Sequence, residues 1–477
     1  LEIMKQISHT LRTFSPRLRR GLQSGAALGL VAAMGACDTQ RFVGASDPDI
    51  ISPELVTSAA AAEALRLGVL GRFNVGTTGG EGMFLYSGML TDEFESGDTF
   101  IERNQMDQRS VQIENANLDG GYRAIQRIRV GAQQAQKALR DYDAQGAAWK
   151  KAEMFMVEGY ALNLLGEHFC SGVPLSSVVD GIEQPGAAVT TAAMYALALA
   201  KYDSALALLP ASATTADDNR VRNIVRIERG RTLLNLNRPA DAATSVTGVP
   251  TNFAWLQEHN AAVRDNAVWS LNISGRRYLV GDRESGEGLN FFSANDPRLP
   301  TCLGGDATCR ARGVTNTVAF NNQPGLRAQI LWDERADPVA LVTGIQARLI
   351  EAEAALRGTT PANAVTILNS LRSSVTTVPG VGGALSLPAL TDPGTQEGRV
   401  DLLFRERAFW NWGLGQRLGD LRRLVRQYNR PASSVFPSGA YGTSGLNYGT
   451  DVNFPIPQSE RNNPAFGQEG ACIDRNA

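Results

Sequence analysis

The stretch 196–210, ALALAKYDSALALLP, decides how the rest of the chain is read. Its apolar and small residues recur three and four apart, the period of one helix face. Ala198, Tyr202, Ala205 and Pro210 fall at offsets 0, 4, 7 and 12, the spacing of the second helix of a tetratricopeptide (TPR) hairpin. Small residues let two antiparallel helices approach, an aromatic fills the gap below, and a proline cannot continue the helix. Ala242, Val246 and Val249 repeat the first three offsets, and so do Ala364, Leu368 and Leu371 after the helical segment QARLIEAEAALRG. The copies stand 44 and then 122 residues apart. The spacing predicts an array broken by insertions, not a regular solenoid.

Helical periodicity extends to ELVTSAAAAEALRLGVLGRF (54–73), GGYRAIQRIRVGAQQAQKALRDY (120–142) and AAWKKAEMFMVEGYALNLLGEHF (147–169). The insertion at about 251–340 differs in character. It holds NISGRRYLVGDRESGEGLNFF, SANDPRLP and NNQPGLRAQILW, rich in Gly, Asn and Pro with scattered aromatics and short possible strands. Residues 375–398 and 428–477 read alike. The expected fold is mainly α: an interrupted TPR-like helical-hairpin scaffold with a loop-rich lobe inserted on one side. It divides into an N-terminal helical region at 54–250 and a C-terminal region at 251–477.

Ahead of this lie Lys5, Arg12, Arg17, Arg19 and Arg20, then the uncharged run GLQSGAALGLVAAMGA, then Cys37. A basic front, a short apolar run and small residues at its end are the parts of an export signal. The run is too short and too glycine-rich for a good membrane span, which needs about 20 mostly apolar residues. Gly35 and Ala36 before Cys37 suit a bacterial lipobox. Residues 1–36 are then a leader, Cys37 the lipidated N-terminus, and 37–53 an extended tether. An ordinary signal cut nearby is the plainer alternative.

The full chain has 477 residues and a formal charge of −2. Without the leader's five Lys/Arg and one Glu, 41 basic and 47 acidic side chains remain, a charge of −6. No basic block follows Arg20, so nucleic acid is disfavoured as a partner. Only the lipid is expected to hold the protein to a bilayer. Cys170, Cys302, Cys309 and Cys472 make an even set, which in an exported protein suggests disulfides. Cys302 and Cys309 flank a Gly-Gly turn and are expected to pair, with a zinc half-site as the alternative; whether Cys170 and Cys472 pair stays open.

Little in the chain points to catalysis. HExxH, CxxC, GxSxG and a Walker A loop do not occur. GTTGGEG (76–82) has a phosphate loop's glycines without its Lys-Ser/Thr, and His168 at a helix end reads as structural. Asp92, Glu93, Glu95, Asp98 and Glu102 form an acidic cluster. Such carboxylates serve glycosidases or hold calcium, but a solvated loop is the default. No cofactor and no metal are expected. A binding protein, a surface hydrolase and a protein-only TPR scaffold compete. The missing nucleophile and base favour binding, and the aromatic-bearing insertion favours a ligand lobe.

The C-terminal third carries a family likeness. ARLIEAEAALRG, ILNSLRSS, LLFRERAFWNWGLGQRLGDLRRL and VNFPIPQSERNNPAF occur in that order. Together they resemble the SusD/RagB family of lipid-anchored, nutrient-binding outer-membrane proteins. Glu351 and Glu353 fit its acidic helix, and Asn369 and Arg372 its Asn-x-x-Arg. Glu406, Arg407, Gly415, Arg417, Asp420 and Arg422 fit its Glu-Arg … Gly-x-Arg-x-x-Asp-Leu-Arg segment. Pro455, Ile456, Pro457, Glu460, Asn463 and Pro464 fit its closing phrase. DPRLP, GVPL and DPDIISP also agree. Trp410 and Leu414 depart from the family, which usually has glutamates there, and this puts a local ion-pair network in doubt. On spacing alone, Asp420 is placed to pair with Arg417 and Arg423, and FPIP to pack the tail onto the scaffold.

The resemblance implies a surface-facing outer-membrane lipoprotein. It would capture a nutrient, an oligosaccharide or else a peptide, and deliver it to a SusC-like TonB-dependent transporter. The family's binding aromatics lie in variable loops and do not carry over by motif. The loops here offer two groups of candidates. Phe100, Arg103 and Asn104 follow the acidic cluster, and Trp255, Tyr278 and Trp332 lie in the insertion. Trp332, set among polar neighbours in QILWDER, is the leading one. Each aromatic could instead anchor its loop. Trp149, Trp410 and Trp412, in helical segments, are expected in the core.

Overall fold

Tyr202 of the opening stretch is completely buried, and a glycine on the facing helix makes this possible. The computed structural model describes residues 56–179, 182–212, 215–442, 445–465 and 472–477. The leader, Cys37 and the tether lie outside the described residues. The described residues begin with α1 (Ala59–Thr77), α2 (Met83–Leu90), α3 (Ile101–Asp107), α4 (Ala116–Tyr142), α5 (Ala148–His168), α6 (Thr191–Leu208), α7 (Ala216–Asn235) and α8 (Pro239–Val246). A Cβ at Gly159 of α5 would stand 2.7 Å from the Tyr202 ring of α6, and one at Gly166 2.6 Å from Tyr195. Glycine at both places lets the two helices close. Ser58, Asn115 and Thr190 cap the starts of α1, α4 and α6, and Thr215 with Asp218 forms a capping box on α7. Each cap contributes about 1 kcal/mol.

The insertion carries the short α9 (Ala307–Ala311), and the array resumes with α10 (Gly344–Leu356), α11 (Asn363–Ser374), α12 (Gln396–Trp410) and α13 (Arg417–Tyr428). Helices pack in series: α1 on α4, α4 on α5, α5 on α6, α6 on α7, α7 on α8, α8 on α10, and α10 on α11 and α12. The repeat positions Ala198, Ala205, Ala242, Val246, Ala364 and Leu368 are all buried. Residues 56–477 thus form one unit, mainly helical and TPR-like, with α8 meeting α10 across the loop-rich insertion. Among the described residues no helix is long and apolar enough to cross a membrane.

The strands are short and pair two by two among the described residues. β1 (Phe94–Ser96) pairs antiparallel with β7 (Tyr278–Val280), setting Phe94 opposite Val280. In order between them stand β2 (Val173–Pro174), β3 (Ser177–Val179), β4 (Ile182–Gln184), β5 (Ala188–Val189) and β6 (Ala254–Gln257). β8 (Thr301–Leu303) pairs with β9 (Arg327–Gln329), and β10 (Val339–Thr343) with β6. β11 (Ala440–Tyr441) and β12 (Leu446–Asn447) close a late hairpin. A disulfide joins Cys302 to Cys309, with Cα atoms 5.4 Å apart. A second joins Cys170, after α5, to Cys472, with Cα atoms 5.5 Å apart. The FPIP tail packs inward: Phe454 donates its N–H to the His168 carbonyl at 2.8 Å and accepts from Cys170 at 2.9 Å.

The family-like segment builds an ion-pair network inside the scaffold. Arg423 of α13 grips Glu353 of α10 at 3.1 and 3.0 Å and Asp420 at 2.8 Å. Arg407 of α12 grips the same Asp420 through two 2.8 Å bonds. All four are buried. Glu406 holds Arg298 and Arg372, and Trp410 lies against Arg298, so the two departures leave this network standing.

Two expectations are corrected. Arg417 does not pair with Asp420; it takes Asp92 through two 2.7 Å bonds. The acidic stretch is not a solvated loop, since Asp92, Glu93 and Asp98 are buried. A local reading could not see the distant groups that receive them. Glu93 accepts from the Gly413 N–H at 3.0 Å, and burial pushes its carboxyl up to about 8.

Burial alone would raise Asp420, but the charges of Arg407 and Arg423 outweigh it and hold the carboxyl down at about 2. Its stabilisation is present above the ordinary carboxyl range and is lost as pH falls through about 2. Asp420→Asn should therefore cost about 3–5 kcal/mol at neutral pH, the scale for breaking a buried pair. The gap to the parent should narrow by about 2–3 kcal/mol between about pH 4 and pH 2. Urea unfolding of both proteins across that range checks it; a gap independent of pH contradicts it.

Candidate functional site

The β1–β7 pair projects a polar-aromatic surface from its end. Beyond the register, Gly97 donates to the Arg277 carbonyl at 2.8 Å, Phe320 to the Arg276 carbonyl at 2.9 Å and Asn321 to the Gly97 carbonyl at 2.9 Å. Three loops, distant in sequence, are thereby tied together. A Cβ at Gly97 would stand 2.9 Å from Ala319 Cβ and 3.0 Å from the Arg276 carbonyl oxygen, so only glycine allows so close a junction.

Asp98 organises the charge of this surface. It is buried, and its Oδ1 accepts the N–H groups of Thr99 at 2.6 Å and Phe100 at 3.2 Å. This turns the chain into α3 and leaves the Phe100 ring outward, 50% exposed. Arg277 reaches both Asp98 oxygens at 2.9 Å, and Arg103 reaches Oδ2 at 2.6 Å. Burial raises the Asp98 carboxyl, yet the Arg277 hydrogen bond, the backbone N–H groups and the Arg103 charge hold it below its ordinary value.

The fixed Arg277 guanidinium lies 3.7 Å from the centre of the Phe320 ring and 4.8 Å from that of Phe100. Cation–π contacts of this kind contribute about 0.5–1 kcal/mol at exposed sites. Its Nε and second terminal nitrogen make no hydrogen bond to the described residues. Asn104 lies beside the stack and accepts from the Ser96 hydroxyl at 2.6 Å. An exposed ring, a half-buried one, a held guanidinium and a nearby amide are the chemistry of a surface that takes polar molecules with an apolar face.

The six candidates fare differently. Phe100 and Asn104 belong to this surface. Arg103 is next to it but occupied, since Glu81 takes its Nε at 2.6 Å and its second terminal nitrogen at 2.5 Å, and Asp98 takes the third. That makes it a strut and not a ligand donor. Tyr278 is fully buried against Phe94, its hydroxyl donating to Glu81 at 2.8 Å; a core residue cannot touch ligand. Trp332, the leading candidate, is 4% exposed and stacks near Trp412 with ring centres 6.0 Å apart. Its polar neighbours in sequence point elsewhere, while Gln329 clasps its backbone at both ends with 2.8 Å bonds. Trp332 lines a small cavity of about 50 Å³ with Trp410, Trp412 and Leu414. Trp255 is 9% exposed and lies on Phe73, ring centres 5.5 Å apart. It borders a separate cleft, as does Trp149, which is half-buried and packs against the core.

Arg277 and Phe320 were not legible as site residues. Arg277 sits in an Arg-Arg pair before the β7 strand, and Phe320 precedes the turn-rich NNQPG. An aromatic beside a turn was the available signal, and nothing local joined it to Phe100 more than 200 residues away.

No family model matches the chain, and no curated protein matches it. Solved structures do. A SusD/RagB family protein from Bacteroides thetaiotaomicron superposes with a TM-score of 0.60 at 12% identity, covering 86% of this chain and 96% of that one. A SusD superfamily protein from Bacteroides vulgatus gives 0.55 at 14% identity, covering 86% and 98%. The surface glycan-binding protein A from Bacteroides thetaiotaomicron, in complex with laminarihexaose, gives 0.57 at 12% identity, covering 88% and 100%. The chain has the SusD-type fold.

Burial separates the aromatics by role. Trp332→Ala should destabilise by about 3–5 kcal/mol, as large-to-small changes in a packed core do. Phe100→Ala, on the surface, should stay within about 0.5 kcal/mol of the parent. Denaturant midpoints measured side by side test this; equal effects would contradict the placement.

Proposed function

We propose that the protein is a lipid-anchored receptor on the outer face of the outer membrane. It captures an oligosaccharide at the Phe100–Arg277–Phe320 surface and passes it to a SusC-like TonB-dependent transporter. The observation that carries this reading is that stack, held open to solvent by Asp98 on a SusD-type fold. A sugar ring offers an apolar C–H face to Phe100, while Arg277 and Asn104 meet its hydroxyls. The glycan-binding protein that shares the fold supports this ligand class.

The residues bind and orient; no bond need be made or broken. Asp98 presents Arg277 in one position, which reduces the ordering required when a ligand docks. The helical array offers a broad face for the transporter. Two disulfides suit an oxidising compartment outside the cytoplasm. The basic-apolar-small leader ending at Cys37 supplies the anchor in this reading.

Phe100→Ala and Arg277→Ala should each weaken binding of a recognised oligosaccharide by about 1–3 kcal/mol, the scale for removing a contact anchor. Calorimetry against neutral oligosaccharides and short peptides tests the reading. Binding of peptides alone would move the function to peptide capture, and binding unaffected by both substitutions would move the site. Separately, intact-mass analysis of the protein from native membranes should find an acylated N-terminus at Cys37. An unmodified terminus elsewhere would remove the anchor.

A further inference from the structure

A second cleft, of about 640 Å³, opens between α1, α5, α7 and β6. Its volume falls in the range of about 300–1,000 Å³ found for small-molecule sites. Two indoles border it. Trp149 stands at the start of α5, half-buried. Trp255 of β6 packs on Phe73 with planes inclined by 20°.

The polar groups around the indoles are fixed before any ligand arrives. Glu153, 1% exposed, accepts from Arg66 with one oxygen and from Arg220 at 2.8 Å with the other. The two guanidinium carbons lie 5.1 and 5.6 Å from the Trp149 ring centre. Asn74 bridges to the Gln257 side chain and the Glu258 carbonyl at 3.3 Å each. The three cations around the Trp149 ring, Arg66, Arg220 and Lys150, each already have an acid partner among Glu63, Glu153 and Asp217. An anion therefore meets no unpaired cation. An apolar ligand would strip water from fixed ionic groups without replacing its hydrogen bonds, which is costly. Hydroxyl groups donate and accept at once, so a ring bearing several of them matches a rim of mixed donors and acceptors, and its C–H face matches an indole.

We propose that this cleft is a second carbohydrate site, taking an uncharged sugar ring between Trp149 and Trp255, with Arg220, Gln257 and Asn74 meeting its hydroxyls. It does not share a residue with the Phe100 surface, so either can fail alone.

The chain holds six tryptophans, so ¹⁵N-indole labelling of the full protein gives six reporters. Trp149→Phe and Trp255→Phe assign two of them. The probes are laminarihexaose, maltohexaose, cellohexaose and xylohexaose. At least one should shift the Trp149 and Trp255 signals saturably. The shift should persist in Phe100→Ala, and Arg220→Ala should raise the concentration for half-maximal shift about tenfold. Signals at Trp149 and Trp255 unmoved by all four glycans would overturn the proposal, and so would shifts that vanish in Phe100→Ala. Unchanged positions of the remaining indole signals in each variant show that the fold is intact.

Discussion

The contact on which the scaffold depends is the buried grip of Arg423 and Arg407 on Glu353 and Asp420. It joins α10, α12 and α13 inside the protein. Ions taken out of water lose several kcal/mol each, and their attraction makes this good only when geometry and hydrogen bonds are complete. Here they are close to complete. Arg423 also reaches Asn235 of α7 at 3.0 Å, and Asn235 reaches Glu167 of α5 at 2.6 Å. Glu167 in turn takes Arg231 at 2.9 Å. One connected chain of charged groups, bridged by the neutral Asn235 amide, thus runs from the last helices back to the first half of the array. Its value is less in net stability than in register, because a slipped helix would leave a charge buried and alone.

The same logic carries the inserted loops. Arg417 reaches out of α13 to Asp92, which also accepts the Leu289 N–H at 2.9 Å. Glu93 holds the turn at Gly413, and Asp98 holds Arg277 and Arg103. An acidic run that looks like a solvated loop is thus a row of internal clamps. The last of them ends at the surface and leaves Phe100 outside. The proposed binding surface is the exposed end of a buried electrostatic assembly, which fixes it without a sheet larger than two strands among the described residues.

The scaffold was far more legible than the site. Helix–helix contact imposes a period, and Ala198, Tyr202 and Ala205 display it within eight residues. The closing motifs around Glu406 and Asp420 were readable through the family resemblance, while of the two offset pairs read there only Asp420–Arg423 forms. Aromatic candidates carried no such rule. Trp332 among polar residues and Tyr278 in the insertion were candidates for ligand contact, and both are core. Trp255 was picked for the insertion's ligand surface and borders a different cleft, beside a tryptophan assigned to the core. A tryptophan's neighbours in sequence say little about its neighbours in space.

The sequence by itself determined the helical array, its interruptions and the family likeness, and it made the pairing of the close cysteines across a Gly-Gly turn the expected outcome. Each of these rests on spacing along a few turns of chain. Only the tertiary structure decided that Arg417 takes Asp92 rather than Asp420. It alone joined Cys170 to Cys472, and it alone stacked Arg277 between Phe100 and Phe320. These choices depend on loop closures of hundreds of residues. They are made by which partner is already held at the right place by packed helices, and that information is in the fold rather than in any local stretch.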